Sequence, residues 1–194
     1  MIRTAILDDA HRIAEIQVES WRVAYRGILP SEYLSGLDVN RKTELWKKFS
    51  GDAKAPLFVA LKGNEIIGFC HLIRARDADS ERAAEIAGIY VDPIHWRRGY
   101  GRGLFSSALS FSEDQGFERV TLWVLVENTP ARRFYESMGF LADGATKIEE
   151  GLGYSMNEIR YRFKIHHRDQ VVAPNRSLPP TLNRTYSVRG SEDF

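Results

Sequence analysis

The run Ala83–Leu109, AAEIAGIYVDPIHWRRGYGRGLFSSAL, constrains this chain more than any other stretch. Ile86–Val91 is an apolar strand, stopped by a turn at Asp92 and Pro93. Arg97, Arg98, Gly99, Tyr100, Gly101, Arg102 and Gly103 follow. Leu104, Phe105, Ala108, Leu109 and Phe111 then recur at helical spacing. A strand, a glycine-arginine turn and a helix, in that order, suit a phosphate-bearing ligand. Glycines let the backbone approach closely, and the helix end adds free N–H groups and a positive dipole. The dipole contributes only about 0.3–1 kcal/mol, against about 8 kcal/mol for micromolar binding. Several charge-assisted hydrogen bonds of about 1.5–3 kcal/mol each must act together, as a backbone cradle allows.

The rest of the chain sets bounds. Its 194 residues fit one domain with a sizeable core. A hydrophobic content of 43% and a charged content of 27% are ordinary for a globular protein. The net charge of +1 offers no general attraction to nucleic acid. Acids balance Arg160, Arg162, Arg168, Arg176, Arg184 and Arg189 over the chain, so no nucleic-acid partner is expected. The single cysteine, Cys70, excludes an internal disulfide and a cysteine metal cluster, and its apolar strand suits a buried, inert thiol. No apolar run approaches ~20 residues and the N-terminus soon turns polar. Neither a secretion signal nor a membrane contact is expected, which makes the cytoplasm the default location.

In chain order, Ile2–Leu7 reads as a strand, and Asp8 or Asp9 as the cap of a helix with Ala10, Ile13, Ile16, Trp21 and Ala24 on one face. Ser31–Phe49 is helical. Leu57–Leu61 and Glu65–Ile73 form a hairpin about Gly63-Asn64, and Arg74–Arg82 is a polar loop. The glycine-arginine helix ends near Gly116, and Arg119–Val126 is a strand buried on both faces. Thr129 and Pro130 open a helix that Gly139 closes. Phe140–Glu149 and Glu158–Ile165 pair antiparallel across a turn at Glu150–Tyr154. From His166 the chain becomes polar and aperiodic, a surface extension over 166–194 beyond a domain of residues 1–165. His166 and His167 lack a third ligand at useful spacing, so no metal site is expected.

Arg98-Gly99-Tyr100-Gly101-Arg102-Gly103 fits R-x-x-G-x-G. Behind Ile89-Tyr90-Val91 and Asp92-Pro93, it resembles the acyl-CoA pyrophosphate loop of the GNAT superfamily of N-acetyltransferases. Asn128-Thr-Pro-Ala131-Arg-Arg-Phe134-Tyr135-Glu-Ser-Met-Gly139-Phe140 resembles that superfamily's other signature, N-x-x-A-x-x-F-Y-x-x-x-G-F, with every position occupied. The stretch Trp21-Arg-Val-Ala-Tyr25-Arg-Gly27-Ile-Leu-Pro30 is similar to an N-terminal pattern of one bacterial-type branch.

The resemblance implies an α/β fold of α+β type. Its central sheet is mixed and mostly antiparallel, with flanking helices and two central strands splayed apart. It implies transfer of an acetyl group from acetyl-CoA directly to a primary amine in a ternary complex, without a metal. A non-catalytic acyl-CoA-binding module is the alternative. Small-molecule and peptide amines are open as acceptors, and a homodimer is common in the family.

Ile89 and Val91 are then the strand backbone that pairs with the cofactor arm. Arg97, Arg98, Gly99, Tyr100, Gly101, Arg102, Gly103 and Arg133 complete its site. Asn128 bonds the arm, positions Tyr135, or serves its own helix entry. Tyr135 is the general acid beside the departing sulfur, or a core aromatic. A phenol of pKa ~10 protonates a thiolate of pKa ~8.5 at a cost of roughly 2 kcal/mol. Freeing a lysine-like amine at about pH 7 costs roughly 4–5 kcal/mol, which calls for a base. Glu85, at the head of the central strand, is the candidate, with a solvated strand-end carboxylate as the other reading. Trp21 and Tyr25, one turn apart, shape the acceptor site or belong to the core. Gly88 marks a bulge or permits close packing. Glu149 and Glu150 are a thin hint of a cationic acceptor.

Overall fold

Seven strands form a single sheet: β1 (Ile2–Thr4), β2 (Leu57–Lys62), β3 (Glu65–Arg74), β4 (Ala83–Val91), β5 (Arg119–Leu125), β6 (Leu141–Gly151) and β7 (Tyr154–Lys164). Their order is β1-β2-β3-β4-β5-β7-β6. Every neighbouring pair is antiparallel except β4 and β5, which run parallel. The structure, a computed structural model, describes residues 1–151 and 154–166, and the side chains of 149–151 and 154 are outside that description. The expected extension beyond His166 and the centre of the last turn therefore lie outside the described residues, as do the side chains of Glu149 and Glu150.

Among the described residues five α-helices flank the sheet: α1 (Ala10–Ala24), α2 (Ser31–Ser35), α3 (Val39–Phe49), α4 (Tyr100–Asp114) and α5 (Thr129–Ser137). Apolar residues at helical spacing put Leu104, Phe105 and Ala108 of α4 onto Ile67, Leu72, Ala84, Val120 and Leu122. On the other face, Ile13, Ile16 and Trp46 cover Val59 and Phe69. A third cluster seats Leu29 and Leu34 on Leu125, with Trp21, Tyr25 and Met156 at its margin. Each such side chain contributes roughly 1.5–3 kcal/mol on burial.

Several element boundaries differ from expectation. β1 stops at Thr4 and a 3-10 turn covers Leu7–Asp9. Asp9 does not cap α1; its carboxylate accepts from the Ile6 N–H at 2.8 Å and pairs with Arg3. A two-pronged guanidinium contact outweighs a single cap hydrogen bond. The helical region 31–49 is broken, because the Asp38 side chain accepts from the Asn40 and Arg41 N–H groups and starts α3 afresh. Helix α4 begins at Tyr100 rather than Leu104, so Gly101 and Gly103 lie within its first turn.

Two irregularities create the site. β4 and β5 pair only at Ala83–Arg119, Ala84–Val120 and Glu85–Thr121, and beyond that they part. Within β4 the register against β3 slips: His71 faces Gly88 and Leu72 faces Ile86. Ala87 is thus the extra residue of a bulge, which inverts the inward-outward alternation downstream. A Cβ on Gly88 would lie 2.9 Å from Cε2 of Tyr90, so the glycine also makes room for that ring.

Candidate active site

Where β4 and β5 part, a cleft of about 1060 Å³ opens. Ladder alternation determines which backbone groups it meets. The Asp92 N–H donates to the Ile67 carbonyl at 2.9 Å, which makes that position a hydrogen-bonded pair. Cys70–Ile89 and Gly68–Val91 are then non-hydrogen-bonded pairs. The amide groups of Ile89 and Val91 turn away from β3 and into the cleft. The Val91 carbonyl is already occupied: Ser20 Oγ donates to it at 3.1 Å and Trp96 Nε1 at 2.6 Å. The Ile89 N–H and carbonyl and the Val91 N–H are what the strand offers.

The glycine-arginine turn supplies one lip. Gly99 sits in the left-handed region, φ +86°, where a side chain is strained, and it leads directly into α4. The Gly103 N–H donates back to the Gly99 carbonyl at 3.0 Å, leaving the N–H groups of Tyr100, Gly101 and Arg102 to point out of the helix end. Arg97, Gly99, Tyr100, Gly101 and Arg102 line the cleft, and Arg133 lines it from α5. Arg98 is exposed and does not line it. Gly103 does not either: a Cβ there would lie 3.0 Å from Cδ1 of Ile2, so this glycine lets α4 pack on β1. His95, which the sequence reading passed over, is 4% exposed and borders the cleft, with no hydrogen-bond partner at Nδ1 among the described residues.

Helix α5 supplies two further groups. Asn128 is its N-cap, with Oδ1 accepting from the Ala131 N–H at 3.2 Å. The helix-entry role is therefore present, and the same residue borders the cleft. Tyr135 is half-buried, its ring packed near Phe134, Phe140 and Tyr161, and it too borders the cleft. Burial pushes its phenol well above the ordinary range, and the neighbouring Tyr90 and Cys70 add to this.

The opposite end is aromatic and charged. Trp21 and Tyr25 meet edge to face at 5.1 Å. The inverted alternation after Ala87 turns Tyr90 toward them. Burial, then the proximity of Tyr90, raises the Tyr25 phenol well above its ordinary value. Trp21 Nε1 is buried beside the Tyr90 hydroxyl, outside hydrogen-bonding geometry. Glu85 is 2% exposed. Arg76 Nη2 donates to its Oε1 at 2.5 Å, and Arg76 Nε and N–H reach its Oε2 at 3.3 Å. It is thus not the solvated strand-end residue of one expectation; both its oxygens are held by the loop between β3 and β4.

Arg160 holds that loop in turn. Its guanidinium donates to Asp77, Asp79 and Asp143 at 2.7–3.0 Å, and Trp123 Nε1 donates to Asp77. The hydrogen bond from Arg160 draws the Asp79 carboxyl down to about 2. Arg162 pairs with Asp143 at 2.9 Å, so two of the arginines weighed for nucleic acid serve internal ion pairs. Glu158 and Tyr90 are site residues that sequence reasoning missed. Register and bulge place them, and neither is written in local spacing. The polar alternation of Glu158, Arg160 and Arg162 was the available signal. Among the described residues no group of His, Cys, Asp and Glu side chains gathers to hold a metal, and no helix is long and apolar enough to cross a membrane.

Known proteins resemble this chain in sequence and in fold. The family model described as Acetyltransferase (GNAT) family matches residues 11–140, more than half of the chain. The uncharacterized N-acetyltransferase YuaI of Bacillus subtilis is 29% identical over 161 residues, spanning 79% of this chain and 91% of the relative. The PaiA N-acetyltransferase from Thermoplasma acidophilum, solved in complex with coenzyme A, superposes with a TM-score of 0.65 at 22% identity, covering 85% of this chain and 98% of that one. YncA from Salmonella typhimurium, solved with its cofactor acetyl-CoA, gives 0.65 at 20% identity over 90% and 97%. With the glycine-arginine turn and the parted strands inside the matched span, this chain belongs to the acetyltransferase (GNAT) family and is an N-acetyltransferase.

Proposed function

We propose that the chain transfers an acetyl group from acetyl-CoA directly to the amine of a small molecule or peptide, both bound at once. The observation that supports this best is the parting of β4 from β5. It gives one cleft two approaches, a donor side at α4 and α5 and an acceptor side at Trp21, Tyr25 and Tyr90.

The residues fit the donor. Three outward N–H groups of α4, with Arg97, Arg102 and Arg133 beside them, suit a pyrophosphate. The Ile89 amide suits a pantetheine arm, which would pair with it as a strand does. Acetyl-CoA supplies the thioester acyl group. The Val91 N–H polarises the acyl carbonyl, as an oxyanion donor does. Tyr135 holds the proton for the leaving sulfur, and burial keeps it a phenol throughout the neutral range. Direct transfer is supported by Cys70, the chain's single thiol, which is fully buried and pushed up to about 12 by burial, and so is poorly placed to carry an acyl group.

Initial rates with both substrates varied test this reading. Direct transfer gives intersecting double-reciprocal lines and no burst. Parallel lines would mean a covalent acyl-enzyme and contradict it.

A further inference from the structure

We infer that Glu158 accepts the proton of the acceptor amine, the role sequence reasoning assigned to Glu85. The inference rests on the acetyl transfer proposed above.

Register carries Glu158 to the right place. β7 sets it opposite Leu125 of β5 and opposite Lys147 of β6, at the end of β5 that has left β4. It borders the cleft there. Its side chain is 18% exposed, so an amine can reach it, whereas Glu85 lies at 2% with Arg76 on both oxygens. Lys147 Nζ stands 3.0 Å from the Glu158 carboxylate and also lies 4.7 Å over the Trp123 ring. The Tyr25 and Tyr90 phenols line the same cleft and lie near enough to feel that carboxylate's charge. Burial first, with the Glu158 charge adding to it, keeps both phenols protonated, so Glu158 is the acceptor among them. Tyr90 also faces Tyr135, so the proton-taking and proton-giving ends of the cleft share one wall.

The protons then balance. An acceptor ammonium takes the place of Lys147 against Glu158 and gives it one proton, which later passes to solvent. The free amine nitrogen bonds the acyl carbon and the carbon–sulfur bond breaks. The sulfur takes the Tyr135 proton, and the second amine proton restores that phenol. The products are the amide, the free thiol and one proton in solution.

The test uses the full chain with ethanolamine, tyramine, spermidine and L-lysine as probes, carrying the fastest into pH profiles. Glu158→Gln should lower kcat by about 10²-fold or more and flatten the acidic limb. Glu158→Asp should keep that limb, and so should Glu85→Gln. Calorimetric affinity for acetyl-CoA should stay at the wild-type value in Glu158→Gln. The inference falls if Glu158→Gln keeps the limb, if Glu85→Gln erases it, or if Glu158→Gln loses acetyl-CoA, which would make the residue structural. It also falls if the wild type binds acetyl-CoA yet acetylates none of the four probes. Wild-type protein that fails to bind acetyl-CoA would instead overturn the transfer reading beneath it.

Discussion

A phenol desolvated at the mouth of a cleft is a good place to keep a proton, and Tyr135 occupies it. Tyr135→Phe removes the hydroxyl and little else, since the ring contacts with Phe134, Phe140 and Tyr161 remain. Turnover should fall by roughly 10²–10⁴, the usual span for acid–base catalysis. Unchanged turnover in a folded variant would remove Tyr135 from the chemistry. Gly88→Ala tests the acceptor wall separately. Its Cβ would meet the Tyr90 ring at 2.9 Å and displace it. The KM for the amine should rise by about 10-fold, the effect of roughly 1.4 kcal/mol, while the KM for acetyl-CoA stays put. Equal changes in both constants would place Tyr90 outside the acceptor site. Tyr135, Asn128 and the glycine-arginine turn were singled out through family resemblance, because each lies in a motif written on one contiguous stretch of the chain. Tyr90 was not, because its direction depends on one extra residue at Ala87, and a single-residue slip reverses every side chain beyond it.

Among the elements, the loop between β3 and β4 is held by charge. Arg160 joins Asp77 and Asp79 of that loop to Asp143 of β6. Arg160→Leu leaves the nearly buried Asp143 without that partner and should lower stability by about 3 kcal/mol in urea unfolding. A loss below about 0.5 kcal/mol would show a surface pair of small effect. The pH sign follows from Asp79, whose carboxyl stands at about 2 in the fold, below its ordinary ~3.9. Its contribution is complete above the ordinary value and fades as pH falls through the lower one. Cleavage of the loop by an acid-active protease, corrected for the protease's own pH profile, should therefore rise as pH falls below about 4 in the wild type and rise less steeply in Asp79→Asn. Equal pH dependence in both proteins would assign the effect elsewhere. Strand and helix identities were legible at this scale from apolar spacing. The breaks were not, because Asp9 chose Arg3 over its helix and Asp38 restarted one.

At the scale of the molecule, two packed faces enclose a sheet that is continuous except at one seam. The seam opens the cleft, and the enclosure has a pH cost at His71. That ring is fully buried beside Trp46 and Phe49, and burial, helped by Arg76 and opposed by Asp52, lowers its pKa to about 4. The folded form holds the ring neutral, so the unfolded chain binds the extra proton below about 6.5. Stability should be complete above that value and decline toward pH 4, by roughly 3 kcal/mol over the window. His71→Phe should remove that slope, and a slope unchanged by the substitution would clear His71. The sheet order could be anticipated only through family resemblance, since strand pairing between distant segments leaves no local pattern. The seam was anticipated the same way, and the structure supplies its cause in the short β4–β5 ladder.

The central claim is that this seam and the first turn of α4 bind acetyl-CoA, and a calorimetric titration tests it most directly. The comparison is wild type against Gly101→Asp. An acidic side chain in the first turn favours the helix dipole, and the Phe134 ring 3.3 Å from the new Cβ has to yield only slightly. Lost binding would therefore report the cradle and not an unfolded chain. The account predicts micromolar binding by the wild type and none by the variant. Wild-type protein that fails to bind, or a variant that binds equally well, would contradict it.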